Sequence, residues 1–224
     1  MGFSCLSFLF LCGPGALAEE TAATSPYEIG VVPVVAYDSS VGTGFGVISN
    51  AAHFAEGFSP YRWRLNTLAY TTVKEGLEGE WAFPLQHYYL KLDLPRFISD
   101  SIRARLFGRY RRRSNAGYFG VGNNSKVGGT DPTLAPSEAV RFYQYDVQYA
   151  ELDLGLRYRL NENFNAFGGL KSWWAGVSPY AGSYLEQSYQ NDGLIGVNTH
   201  GVGRVSFGGL YDSRDRETDP TQGM

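Results

Sequence analysis

The chain has 224 residues, enough for one sizeable core, and no break in composition forces a second domain. Its 19 Lys and Arg against 22 Asp and Glu leave a net charge of -3, which excludes recruitment of nucleic acid or acidic membrane by bulk charge. A chain with 28 Gly, 16 Tyr and 14 Phe, and no long runs of Ala, Leu, Glu and Lys, has the composition of a β protein.

Residues 1–18, MGFSCLSFLFLCGPGALA, read as a secretory signal peptide cleaved after Ala18. An apolar stretch from Phe3 to Cys12 is followed by a Gly-Pro break and then by small residues, although a basic start is missing. The stretch is far short of the roughly 20 residues that a membrane helix needs. Both cysteines, Cys5 and Cys12, fall inside it, so the mature chain is cysteine-free. Leu11 before Cys12 is a poor fit to a lipid-anchor motif. Residues 19–26 form a short periplasmic leader, and residues 27–224 form one β domain.

From Tyr27 onward the dominant signal is period two, which gives a strand two unlike faces. Strands are predicted over 28–37, 43–53, 62–73, 76–85, 88–95, 101–113, 140–160, 164–174 and 202–211, with a further one around 179–189. No helical period competes with them. Leu77, Gly79, Trp81, Phe83 and Leu85 share one parity against Glu78 and Glu80, and Tyr88, Leu90, Leu92 and Leu94 oppose Lys91 and Asp93. Ile102, Ala104, Leu106 and Tyr110 alternate with Arg103, Arg105, Arg109 and Arg111, with Phe107 the apolar intruder on the basic side.

Tyr143, Tyr145, Val147 and Tyr149 share a parity that Leu152, Leu154, Leu156, Tyr158 and Leu160 reverse. One long strand with a bulge near Ala150-Glu151 explains the reversal, and a hairpin tip there is the lesser alternative. Asn161-Glu162-Asn163 reads as a tight turn, while Gly122 to Ser137 and Gly182 to Gly201 read as long surface loops.

Alternation alone does not distinguish a soluble sandwich from a membrane barrel. Several runs reach the 9 to 11 or so residues of a membrane strand, whereas soluble strands centre on about 5 to 6. Aromatic residues recur at run ends: Tyr61 and Trp63, Tyr88 and Tyr89, Tyr118 and Phe119, Trp173 and Trp174. With the export signal, this favours an antiparallel transmembrane β-barrel in the outer membrane, in contact with its lipid and with lipopolysaccharide.

Three segments carry a resemblance. PVVAYDSSVGTGFGV (33–47), YFGVGNNS (118–125) and YDSRDRETDPTQG (211–223) resemble the BamA/TamA outer-membrane assembly-factor superfamily, the bacterial surface antigen family. The last is the most specific. Tyr211, Asp212, Arg214, Asp215, Pro220, Thr221 and Gly223 match the family's Tyr-Asp-Thr-Arg-Asp-Asn…Pro-Thr-x-Gly pattern, with Ser213 for Thr and Arg216 for Asn. The resemblance implies a barrel of about 16 strands, of which this chain supplies the N-terminal nine or ten, and the segment after Tyr211 as a turn into a further strand. It implies a role in assembly, insertion or translocation, with unfolded outer-membrane proteins as clients. The family's periplasmic POTRA domains have no room in the leader, and its Val-Arg-Gly-Phe loop motif has no counterpart, since the chain contains no Arg-Gly pair. The chain is therefore expected to be POTRA-less and incomplete at its C-terminus.

Catalytic chemistry is not expected, and neither is a cofactor or metal. His53, His87 and His200 are isolated, with neither metal-ligand spacing nor a nucleophile motif beside them. A phospholipase-like hydrolase would want a Ser-His pair on an outer rim, and none is evident. Gly42-Thr43-Gly44-Phe45-Gly46 resembles a phosphate loop only superficially, because no helix pattern follows it; its glycines read as strand glycines beside large aromatics. Glu78/Glu80 and Glu151/Asp153 each share a strand face, as any polar face provides. The strongest constellation is the basic row Arg103, Arg105, Arg109, Arg111 and Arg113. It could favour anions on a lumen wall, as in a passive channel or solute-binding barrel, or it could simply pair with Glu78, Glu80 or Asp93 across neighbouring strands.

Overall fold

The computed structural model describes residues 25–76, 79–121 and 140–213. The signal peptide, most of the leader, Glu78, the 122–137 loop and the motif residues Arg214, Asp215, Pro220, Thr221 and Gly223 lie outside them.

The described chain is all-β apart from one helix and a helical turn over 140–142. Its strands are β1 (Tyr27–Asp38), β2 (Gly42–His53), β3 (Trp63–Glu75), β4 (Trp81–Ala82), β5 (Leu85–Leu94), β6 (Ile102–Gly117), β7 (Gln144–Arg159), β8 (Phe164–Pro179) and β9 (Asn198–Tyr211). They form one antiparallel sheet in the order β1-β2-β3-β5-β6-β7-β8-β9, with β4 pairing only to β3. Every long strand thus lies beside its sequence neighbour, an up-and-down pattern kept even where the connection is long, as between β6 and β7. Among the described residues β1 and β9 do not pair with each other, so the sheet is open.

Directly paired residues point to the same side, so the register sorts side chains into two faces. One face carries Tyr27, Ile29, Val31, Val35 and Tyr37 of β1, Phe45 and Val47 of β2, and Tyr88 and Leu90 of β5. It continues through Leu106 of β6, Leu152 to Tyr158 of β7, Leu170 and Trp174 of β8, and Val205, Phe207 and Tyr211 of β9. This face is uncovered: Ile29 is 71% exposed, Val205 72% and Phe207 88%. The opposite face carries Arg64, Asn66, Asp93, Lys91, the arginine row, Glu151, Asp153, Arg157 and Lys171.

Four expectations need correction. The strand expected over 76–85 shrinks to the two residues of β4, and β3 pairs directly with β5. The stretch expected as a tenth strand around 179–189 is largely the helix α1 (Tyr184–Asp192). The loop expected from Gly182 to Gly201 is reduced to a short connection over 193–197, between this helix and the start of β9.

Nor is there a bulge at Ala150-Glu151. The β7 register runs unbroken from Val147 to Tyr158 against β6 and from Tyr145 to Arg159 against β8. The irregularity lies between Arg113 and Ala116 of β6. The apparent reversal in β7 arises because the surroundings change while the backbone does not. Tyr145, Val147 and Tyr149 stay on the face of Glu151, where α1 packs against β7 and Val147, Ala175 and Leu185 are buried. On the other face Asp146 and Gln148 succeed the leucines, and Asp146 pairs with Arg112 through bonds of 3.0 and 2.5 Å.

The turn expected at Asn161-Glu162-Asn163 is present. Asn161 Oδ1 accepts from the backbone N–H groups of Asn163 and Phe164, so the side chain stands in for a backbone turn. The Gly-rich run in β2 also has its expected cause. A Cβ at Gly44 would fall 1.9 Å from the Tyr70 hydroxyl, and one at Gly46 would fall 2.8 Å from the same ring.

Candidate functional site

The arginine row occupies the polar face in the middle of the sheet. In β5 to β8 that face presents Lys91, Arg103, Arg105, Arg109, Arg111, Arg113, Arg157, Arg159 and Lys171. Among the described residues of these strands it is answered only by Asp93, Glu151 and Asp153. Strand alternation alone places the row: each arginine two residues on returns to the same side.

Asp93 is the lower anchor. Arg103 meets it through Nε at 2.8 Å and Nη2 at 2.5 Å, a two-pronged guanidinium–carboxylate bond. Arg105 Nε lies 3.5 Å from the same carboxylate, and the Tyr61 hydroxyl donates to it at 2.6 Å. Tyr61 precedes β3, and burial, followed by the bond to Asp93, lifts its phenol above the ordinary tyrosine range. Glu151 is the upper anchor, buried between Arg109 and Lys171, both of which donate to it. Lys171 also lies 4.0 Å from Asp153.

Of the expected partners, then, Asp93 is used; Glu80 is exposed, and Glu78 lies outside the described residues. The remaining row members differ. Arg113 donates to Asn115 at 3.1 Å, and Asn115 in turn donates to the Ser40 carbonyl at 2.7 Å, tying β6 to the turn between β1 and β2. Arg111 stands between His87 and Tyr149 in the register and forms no ion pair among the described residues. Phe107 does sit on the polar face, with the Arg109 guanidinium 5.9 Å from its ring centre.

The sequence reading missed Arg157, Arg159, Lys171 and Arg204 as members of this face. The alternation of Arg157 and Arg159 with Leu156 and Tyr158 carries the signal, but the supposed bulge hid which side they share. Glu151 was also missed as a partner of Arg109, because β6 and β7 are separated by a long connection that conceals their pairing. A depression of about 530 Å³ lies between Arg103, Arg105, Phe107, Asp153, Arg157 and Phe167. A smaller cleft of about 130 Å³ beside it is ringed by Arg96, Arg103, Arg157 and Arg159.

The histidines serve packing. His53 stacks on Tyr27 at 4.5 Å, His87 lies beside Tyr89, and His200 meets the Trp173 ring edge-on at 5.9 Å. Among the described residues no group of three or more His, Cys, Asp or Glu is placed to hold a metal ion. No helix among them is long and apolar enough to cross a membrane, which says nothing of a crossing by strands.

Of the aromatic pairs expected at run ends, Tyr88 and Trp174 lie on the apolar face, whereas Tyr89 and Trp173 belong to the polar one. At the other end of the sheet Tyr27, His53 and Trp63 form one aromatic group, and the Tyr211 and Phe164 rings meet at 5.0 Å. Of the family turn motif, Tyr211 ends β9 and the Asp212 N–H donates to the Asn163 carbonyl at 2.8 Å. No protein-family model matches the chain, and no curated protein matches it.

Proposed function

We propose that the chain forms the wall of a transmembrane β-barrel in the bacterial outer membrane, similar to BamA/TamA-type factors, and works in the assembly, insertion or translocation of outer-membrane proteins. The observation that carries this reading is the uncovered apolar face, which runs across the sheet from β1 to β9. A soluble monomer rarely exposes a contiguous apolar patch beyond a few hundred Å². Lipid removes the difficulty by serving as the solvent of that face.

Backbone groups in lipid must all be bonded, so the free edges of β1 and β9 are paired in the membrane in this reading, and about 16 strands is the count the resemblance implies. The role in assembly rests on the resemblance of residues 33–47, 118–125 and 211–223. Depleting the chain in its host and measuring the outer-membrane proteins by mass spectrometry tests that role. Several barrel proteins are expected to fall together, and an unchanged inventory would rule the role out.

The row of arginines and lysines that the described strands place on the polar face supports a second reading, a passive channel or solute-binding barrel that prefers anions. In planar bilayers the full chain should then show anion preference, and Arg105→Gln with Arg111→Gln should lower it. Equal selectivity in wild type and double variant would remove this reading.

A further inference from the structure

We propose that the β1–β2 turn and the polar face beside it form a site for the phosphate group of a solute, held by Lys74, Arg111 and Arg113. Tyr70 of β3, His87 of β5 and Arg111 of β6 share one level of that face in the register. Lys74 lies four residues beyond Tyr70 and Arg113 two beyond Arg111, so alternation returns both to the same side. The turn draws them together. Lys74 Nζ donates to the Ser39 carbonyl at 2.8 Å and to the Ser40 carbonyl at 3.3 Å. Asn115 Nδ2 donates to that same Ser40 oxygen at 2.7 Å, and Arg113 Nε donates to Asn115 Oδ1 at 3.1 Å.

Only neutral groups hold these three cations in place. Among the described residues Lys74 bonds to backbone carbonyls, Arg113 to an amide, and the exposed Arg111 forms neither a hydrogen bond nor an ion pair. The neighbours of Arg111 across the sheet are His87 and Tyr149, which bring no negative charge. Arg109, Arg112 and Lys171, by contrast, each meet a carboxylate. The acid of the turn, Asp38, accepts from the N–H and the hydroxyl of Ser40 at 2.7 and 2.6 Å. It stands within electrostatic reach of Arg113 but forms no ion pair with it.

Three cations gathered against one carboxylate repel one another until an anion enters. A phosphate dianion matches the excess in charge, whereas a carboxylate, with a single charge, would meet half of it. Its tetrahedral oxygens also accept from several directions at once, which suits two guanidinium forks and an ammonium group. The site is set before a ligand arrives. The turn is closed by the Val41 N–H donating to the Asp38 carbonyl at 3.2 Å, and Lys74 and Arg113 are positioned through that turn. Little ordering is then left to oppose binding.

The inference deepens the solute-binding reading and rests on it for a polar face that solutes reach. The test uses the full chain in maltoside micelles, which carry no phosphate, with radiolabelled inorganic phosphate followed by equilibrium dialysis at fixed ionic strength. Binding should saturate at one phosphate per chain. Lys74→Gln and Arg113→Gln should each weaken it about tenfold, the loss of one charge-assisted bond. Arg111 makes no bond within the fold, so Arg111→Gln should weaken binding by a similar factor while leaving the fold intact. Arg62→Gln removes the same charge at the other end of the sheet, where Arg62 lies 5.7 Å from the Phe58 ring, and should leave binding unchanged. Competition names the source of the phosphate. Glucose phosphate displacing the label at lower concentration than unlabelled phosphate assigns the site to a phosphorylated sugar; equal or weaker displacement assigns it to the free ion.

Equal weakening by Arg62→Gln and Arg111→Gln would overturn the proposal in favour of diffuse attraction to a basic surface. Absence of saturable binding to the wild type, or undiminished binding in all three site variants, would overturn it outright. Anion preference in planar bilayers measures the solute-binding reading independently. Preference without phosphate binding in micelles would strike the site and spare that reading, whereas loss of both would strike the two together.

Discussion

Asp93 answers two guanidiniums and a phenol at once. Its side chain is 8% exposed and that of Arg103 is 12% exposed, so neither charge has water to fall back on. Replacing Asp93 with Asn keeps the shape and removes the carboxylate charge from the buried two-pronged bond to Arg103. Breaking such a pair from one side costs about 3 kcal/mol. Asp93→Asn should lower the urea midpoint of the folded chain in micelles accordingly, followed by tryptophan fluorescence. Asp146→Asn serves as contrast: Arg112 is 43% exposed, and a loss below about 1 kcal/mol is expected. The bond from Tyr61 has its own pH signature. Because folding raises that phenol above its ordinary value of about 10, its contribution is complete at neutral pH and disappears only as pH climbs through the folded value. Asp93 was readable as a partner for the row from charge and proximity in the chain, but the three-way sharing was not, because Tyr61 lies far away along the sequence.

At the scale of elements, β5 and β6 were legible because a strand crossing between two unlike environments writes its period into the sequence. Strand β7 was harder. Its upper residues Tyr145, Val147 and Tyr149 are apolar on the polar face because α1 packs there, and a pattern method reads that local cover as a change of face. Helix α1 itself was missed although its ends are written plainly. Ser183 caps it, its hydroxyl accepting from the Glu186 N–H at 3.3 Å, while the Glu186 carboxylate accepts from the Gly182 N–H at 2.6 Å. Gly193 ends it in the left-handed conformation at φ 64°, which suits glycine. The aromatic spacing of Tyr180, Tyr184 and Tyr189 obscured these signals, since rings suggest strands. The helix is anchored through Tyr184, whose ring packs against Phe142 at 5.8 Å and Tyr118 at 5.6 Å. Ser183→Ala should therefore destabilise the helix locally by about 1 kcal/mol without unfolding the sheet. Amide hydrogen exchange checks this: protection should fall at Glu186 and Gln187 and persist in β7.

For the whole molecule the decisive quantity is the height of the apolar face. On β1 it runs from Tyr27 to Tyr37, about 34 Å along the strand at about 3.4 Å per residue, and a tilt of about 40° reduces this to about 26 Å. That height matches the hydrocarbon band of a membrane barrel, and the tyrosines fall at its borders. On β7 the same band runs from Tyr158 to about Ala150, beyond which Gln148 and Asp146 take over, so Leu154 lies at its middle. An arginine there has consequences of very different size in water and in lipid. In water Leu154 is already 43% exposed, and Leu154→Arg should change stability by less than about 0.5 kcal/mol. At the middle of a bilayer the same change costs about 2 to 4 kcal/mol, falling to about 1 or less near the interface. The full chain folded into phosphatidylcholine vesicles and titrated with urea should therefore lose about 2 to 4 kcal/mol with Leu154→Arg and about 1 kcal/mol or less with Gln148→Arg. Equal small losses at both positions would mean that the apolar face meets water or a protein partner, and the membrane reading would fall with them. The depth dependence is the discriminating signal, because a general intolerance of arginine on β7 would affect both positions alike.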